Sequence, residues 1–244
     1  MENRTAIITG ATRGIGRGIF RRLAAQRCNV ATIYHKDEES ARRFEKEAKE
    51  SGIQYMIERM DVRELITLAE FAAAVSQKFR RIDYLINNVG IDNSKNIYDL
   101  SLDEWRLSQD IILNAPFIMS KAVLPYMRRQ KFGRIVNIGA SSRDYSKGAP
   151  GMGVYGIHKA ALNVFTRTLA LEEIKNGITV NTVAPGSTDG AGNLLEEERI
   201  PISNIPLGRR VLVEEVVDAV MYFLADSANA VTGQFIGVNG GLST

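Results

Sequence analysis

Thr9-Gly10-Ala11-Thr12-Arg13-Gly14-Ile15-Gly16 is the stretch that decides how the rest of this chain is read. It stands between a short apolar run, Ala6–Thr9, and a longer stretch with helical spacing, Ile15–Gln26. Glycines there permit a tight turn and a close approach to the backbone. The first turn of the helix offers unpaired N–H groups at the positive end of its dipole. A strand, a glycine-rich turn and a helix in that order make a seat for a pyrophosphate. A close-packed turn with no ligand is the plain alternative, and the motif by itself does not separate the two.

The same rhythm runs outward from this stretch. Further strand-like runs fall at Asn29–Tyr34, Tyr55–Met60, Tyr84–Asn87, Arg134–Ile138, Ile178–Ala184 and Phe235–Val238. They are rich in Ile and Val and nearly apolar throughout, as expected of strands covered on both faces. Helical patterns lie between them at Glu38–Ser51, Leu65–Phe79, Ile111–Gln130, Tyr155–Lys175 and Glu214–Ala225. The alternation predicts a single α/β domain, a doubly wound (Rossmann) seven-stranded parallel sheet with helices on both faces. No shift in composition divides residues 1–244. The segment from Gly186 to Gly208 breaks the rhythm with scattered Gly, Pro and charged residues. A long connection just after a strand's carboxyl end reads as a lid over a site, with a solvated surface excursion as the alternative.

Composition narrows the function classes. With 45% hydrophobic and 24% charged residues among 244, the chain is an ordinary globular one, long enough to bury a core without staples. Its single cysteine, Cys28, cannot form an internal disulfide, and two histidines (His35 and His158) leave no cluster with metal-ligand spacing. A balance of 31 basic against 28 acidic residues is too even to imply nucleic acid. Met1–Arg4 is polar and a strand-like run follows at once, and no apolar run approaches membrane-spanning length. A soluble, cytoplasmic protein with no metal is expected.

A second motif carries chemistry. In Tyr155-Gly156-Ile157-His158-Lys159 the tyrosine and lysine stand four apart, on one face of a helix. An ammonium beside a phenol favours the phenolate, which suits Tyr155 to exchange a proton with an alcohol or ketone. Alone, the pair is more often an ordinary amphipathic spacing.

Together and in this order, the two motifs resemble those of the short-chain dehydrogenase/reductase family, over Thr5 to Gly241. Asp61-Val62 follows the third strand, where the family contacts adenine. Asn87-Asn88-Val89-Gly90 closes the fourth, with Val89 where alanine is commoner. Pro185-Gly186 with Thr188 resembles the family's nicotinamide-side loop, and Val231-Thr232-Gly233-Gln234 and Val238-Asn239-Gly240-Gly241 its C-terminal signature. The resemblance implies Tyr155 as acid/base, Lys159 holding the nicotinamide ribose and tuning the tyrosine, and a serine after the fifth strand bonding the substrate oxygen. Counting forward from Asn137 that position is Ala140; counting back from Tyr155 it is Ser142, with Ser141 in reserve. Gly10, Thr12, Arg13, Gly14, Ile15, Gly16, Asn88, Val89, Gly90, Pro185, Gly186 and Thr188 would line the cofactor. A second departure is Ile112, which stands where the family has an asparagine supporting a relay water beside the lysine. Asn114 is close but falls on another face of a regular helix.

Cofactor choice follows from charge. The second strand ends Ile33-Tyr34-His35-Lys36, without the acid that accepts from an NAD ribose. Lys36, with His35 as a further candidate, and Arg13 could instead meet a 2′-phosphate, with Tyr34 beside them lining the cofactor. Solvated surface charges are the plain alternative, but the missing acid tells more, so NADP is expected. The nearest resemblance within the family is to β-ketoacyl carrier-protein reductases, implying a ketone substrate, small or carrier-bound, and a homotetramer built on the helices at 111–130 and 155–175. Lys131 and Lys175 are candidates to receive an acidic carrier. The rival class is a catalytically weak nucleotide-binding sensor or scaffold, which Ile112 and the displaced serine favour and the Tyr155/Lys159 pair opposes.

Overall fold

The computed structural model describes residues 1–140, 150–190 and 200–242. Seven strands form one sheet: β1 (Thr5–Thr9), β2 (Asn29–Tyr34), β3 (Tyr55–Arg59), β4 (Tyr84–Asn87), β5 (Gly133–Ile138), β6 (Ile178–Pro185) and, after two short strands, β9 (Phe235–Val238). Their order is β3-β2-β1-β4-β5-β6-β9 and every pair is parallel. The expected doubly wound sheet is present, with ends that differ from the sequence reading by one or two residues, as helix and strand ends commonly do.

Alternation along each strand builds two cores. Ile7 faces one way and Ile8 the other, because successive side chains point to opposite sides. Ile8, Val30 and Val136 pack with α1 (Gly14–Ala25), α2 (Glu38–Ser51) and α7 (Val213–Leu224) through Phe20, Phe44 and Val217. Ile7, Leu85 and Ile135 pack with α3 (Leu65–Phe79) and α5 (Ala115–Gln130) through Phe71 and Val123, and the same core takes in Ala170 of α6 (Gly153–Glu173). Helix ends carry local signals as well. Asp37 caps α2 by accepting from the Ser40 N–H at 3.0 Å, and Gly52 closes it in the left-handed region.

The expected helix at 111–130 is corrected. It begins earlier, as α4 (Leu102–Gln109), widens through one π-type turn at Asp110–Asn114, and continues as α5. The α4 start is a capping box in which Ser101 Oγ accepts from the Glu104 N–H at 3.1 Å and the Glu104 carboxylate from the Ser101 N–H at 3.0 Å. In the wide turn the Ala115 N–H reaches Asp110 O, five residues back, and Asn114 Nδ2 donates to Asp110 Oδ1 at 2.8 Å across it. An extra residue in a turn changes the rotational phase of everything before it relative to everything after it. So Asn114 does not fall where a regular helix would put it.

The irregular segment after β6 contains β7 (Thr188–Asp189), paired with β8 (Val211–Leu212), and residues 191–199 of the expected lid lie outside the described residues. No described helix is long and apolar enough to cross a membrane.

Candidate active site

A cleft of about 760 Å³ opens at the carboxyl ends of the strands, where the strand order reverses between β1 and β4. The first βα turn forms one wall. Gly10 and Gly14 adopt φ of +73° and +52°, which L side chains rarely take, and a Cβ on Gly10 would stand 2.9 Å from Val89. Arg13 is the N-cap of α1, with no side-chain hydrogen bond to the first turn and no acid within it. The N–H groups there are left to face an anion, and the seat fits a pyrophosphate.

Neighbouring strands hold this turn in shape. Thr9 Oγ1 accepts from the N–H groups of Asn88 (2.9 Å) and Val89 (3.2 Å), while Asn88 Nδ2 donates to the carbonyls of Thr9 (3.0 Å) and Gly10 (3.2 Å). The loop after β4 is thereby stitched to the glycine turn. Below it Asn87 Nδ2 donates to Asn137 Oδ1, and Asn137 Nδ2 to Thr166 Oγ1, each at 2.8 Å, tying β4, β5 and α6 together within the core.

Helix α6 brings Tyr155 and Lys159 to the same cleft. Tyr155 is half-buried and Lys159 is buried, with Nζ 5.8 Å from the Tyr155 ring centroid. Lys159 Nζ donates to Ile138 O at 2.7 Å, which anchors the ammonium on the end of β5. Gly153, the first residue of α6, has φ +43°, and a Cβ there would lie 2.1 Å from Lys95 O. Only glycine lets the helix start this close to the loop after β4, and that closeness places Tyr155 two residues on.

Gly10, Thr12, Arg13, Gly14, Ile15, Tyr34, His35 and Lys36 line the cleft, as do Asp61, Val62, Asn88, Val89, Gly90, Pro185, Gly186 and Thr188. Gly16 does not. It is buried beneath the turn, where a Cβ would come within 2.1 Å of Gly10 O, so it serves the close packing of α1. Ser142 and Ser141 lie outside the described residues; Ala140 is buried. Ile112 is 1% exposed inside the wide turn, in packed core. Lys131 and Lys175 precede β5 and β6, at the amino ends of those strands.

Several lining residues escaped the sequence reading, among them Asp37, Arg63, Leu107 and Ile111. Leu107 and Ile111 stand at i and i+4 around the start of the wide turn, a spacing that a helix beginning at 111 concealed. Asp37 is an acid near the end of β2, but its carboxylate accepts from the Ser40 N–H (3.0 Å) and Ser40 Oγ (2.7 Å), which also hold its pKa below the usual carboxylate range. The Asp61 carboxylate is likewise held low, chiefly by Arg63. Burial pushes the Cys28 thiol up to about 12, so it is inert.

Comparison with known proteins agrees with this geometry. A family model described as enoyl-(acyl carrier protein) reductase matches residues 10–243. The 3-oxoacyl-(acyl-carrier-protein) reductase of Haemophilus influenzae is 34% identical, covering 99% of each chain. That of a Synechocystis strain is 35% identical over 97% of this chain and 96% of its own. The crystal structure of NAD+-bound xylitol dehydrogenase superposes with a TM-score of 0.90 at 25% identity, covering 98% of this chain and 99% of that one. A glycine turn stitched to β4, a Tyr/Lys helix on the same cleft, and full-length similarity to such reductases lead to one conclusion: the chain is an oxidoreductase of the short-chain dehydrogenase/reductase family.

Proposed function

We propose that this protein is an NADPH-dependent reductase of a ketone, also able to run as an alcohol dehydrogenase, with a β-ketoacyl thioester as the first substrate class to try. The observation that carries the reading is the convergence of Tyr155 and Lys159 with the glycine turn on one cleft. The nicotinamide would supply the hydride. Tyr155 gives its proton to the carbonyl oxygen, and the Lys159 ammonium, fixed on Ile138 O, favours the phenolate left behind. Ser142 is assigned the second hydrogen bond to that oxygen, by resemblance.

Charge at the adenosine end supports NADPH. The strand-end positions His35 and Lys36 bear no acid, Asp37 is occupied with Ser40, and Arg13 and Lys36 are exposed on the cleft with no ion pair among the described residues. The names of the carrier-protein reductases favour a thioester-bound ketone. Phe117, Ile157, Val164 and Leu171 leave exposed apolar surface on α5 and α6, which favours the homotetramer expected from the family.

Tyr155→Phe keeps the ring and removes only the hydroxyl, so cofactor binding should persist while kcat falls about 10²–10⁴-fold, the range of a general acid–base group. An unchanged kcat on a good ketone would remove Tyr155 from the mechanism. Titration of the wild type with NADPH and NADH decides the cofactor, and a preference for NADH would overturn that part. Tight NADPH binding with no turnover across a ketone panel would favour the sensor or scaffold reading instead.

A further inference from the structure

We propose that Arg63 is a selectivity residue that acts through Asp61: it covers and neutralises that carboxylate at the adenosine end of the cleft, so that this end accepts a ribose phosphate. The inference rests on the NADPH reading and adds a residue whose role neither the motifs nor the relatives assign.

Arg63 lies two residues after Asp61, in the turn that leads from β3 into α3. Its Nε stands 3.0 and 2.9 Å from the two oxygens of Asp61, its Nη2 also reaches Oδ2, and its backbone N–H donates to Oδ1 at 3.0 Å. His35 Nε2 approaches the same carboxylate at 3.4 Å from the end of β2. The Asp61 side chain is 12% exposed and that of Arg63 is 48% exposed, so the guanidinium forms the solvent-side cover over the acid. All three residues line the cleft beside Lys36 and Arg13.

The charge balance there is narrow. Asp37 and Asp61 are the acids that line this end, and their hydrogen bonds from Ser40 and Arg63 hold both below the usual carboxylate range. Against them stand Arg13, Lys36 and Arg63. Removing Arg63 takes away one of three cations and uncovers Asp61 in a partly buried place, where screening is weaker than at an open surface. A phosphate dianion would feel that change strongly; a ribose hydroxyl would scarcely feel it. The adenine itself is common to both cofactors, so loss of an Asp61 contact to it would cancel in their ratio.

The test measures Kd for NADPH and NADH in the full-length wild type and in Arg63→Gln, Arg63→Lys, Asp61→Asn and the Asp61→Asn/Arg63→Gln double variant. Arg63→Gln should weaken NADPH about tenfold and NADH less than about twofold, the scale of one lost charge-assisted interaction. Arg63→Lys, which keeps the charge, should stay near the wild-type ratio. The double variant should return the NADPH/NADH ratio to within about threefold of wild type, because the uncovered acid is gone. Equal weakening of both cofactors by Arg63→Gln would overturn the proposal. So would a double variant that stays as poor with NADPH as Arg63→Gln, since Arg63 would then touch the phosphate directly. The wild-type preference is read separately: a wild type that favours NADH sinks the NADPH reading, while the change in ratio still judges Arg63.

Discussion

His158 sits in the sequence between Tyr155 and Lys159 yet does not line the cleft. Its ring is 4% exposed, edge-on to Trp105 at 4.9 Å, with Nδ1 3.1 Å from the buried Ser108 hydroxyl. Burial pushes its pKa below the ordinary 6.5, so the folded protein holds the neutral imidazole. The sign follows from that depression: the unfolded chain takes up a proton more readily. The stability this residue contributes is therefore complete above about pH 6.5 and is lost as pH falls through the lower folded value. His158→Gln should melt below wild type at pH 7.5, and the gap should narrow steadily towards pH 5.5. A gap that stays constant over that range would show that His158 does not titrate on unfolding.

The π-type turn between α4 and α5 is the element where sequence and structure part most clearly. Apolar runs and their spacing made the strands and most helices legible, because each buries a face the pattern exposes. Helix α4 is mostly polar, Leu-Asp-Glu-Trp-Arg-Leu-Ser-Gln, and escaped that search, although Ser101 and Glu104 carried the capping signal. The wide turn has no such pattern: it depends on a side-chain bridge, Asn114 to Asp110, and on packing around Ile112. The glycine turn and the Tyr155/Lys159 pair were legible only together, because their order along one doubly wound chain carries a resemblance that neither spacing carries alone. Arg63 was not, since an arginine two residues after an aspartate is ordinary until a turn folds one onto the other. For this element we expect Asn114→Ala to lower the melting temperature and to cut turnover several-fold. Loss of one hydrogen bond costs about 1 kcal/mol, and the change loosens the phase that puts Leu107 and Ile111 on the cleft. Ile112→Asn should melt early without any gain in kcat, because it puts an amide at a position that is buried from solvent. A faster enzyme of undiminished stability would show instead that the asparagine common in the family had been missed here as a working part.

At the scale of the whole molecule, Leu171 (78% exposed) and Val164 (64%) lie on α6, with Phe117 (45%) on α5. If this face joins copies of the chain, Leu171→Asp should shift the species seen by light scattering to smaller assemblies, with melting falling alongside; an unchanged mass would place any assembly elsewhere. The strand order has a consequence in time as well. β1 and β4 are neighbours in the sheet, with Ile8 opposite Ile86, so joining them must close a long stretch of chain. The β1–β2–β3 half can form from nearer partners, but the cleft has no second wall until β4 arrives with Asn88 and Val89. A refolding chain should therefore gain secondary structure before it gains any affinity for nucleotide, and added cofactor should slow unfolding more than it speeds folding.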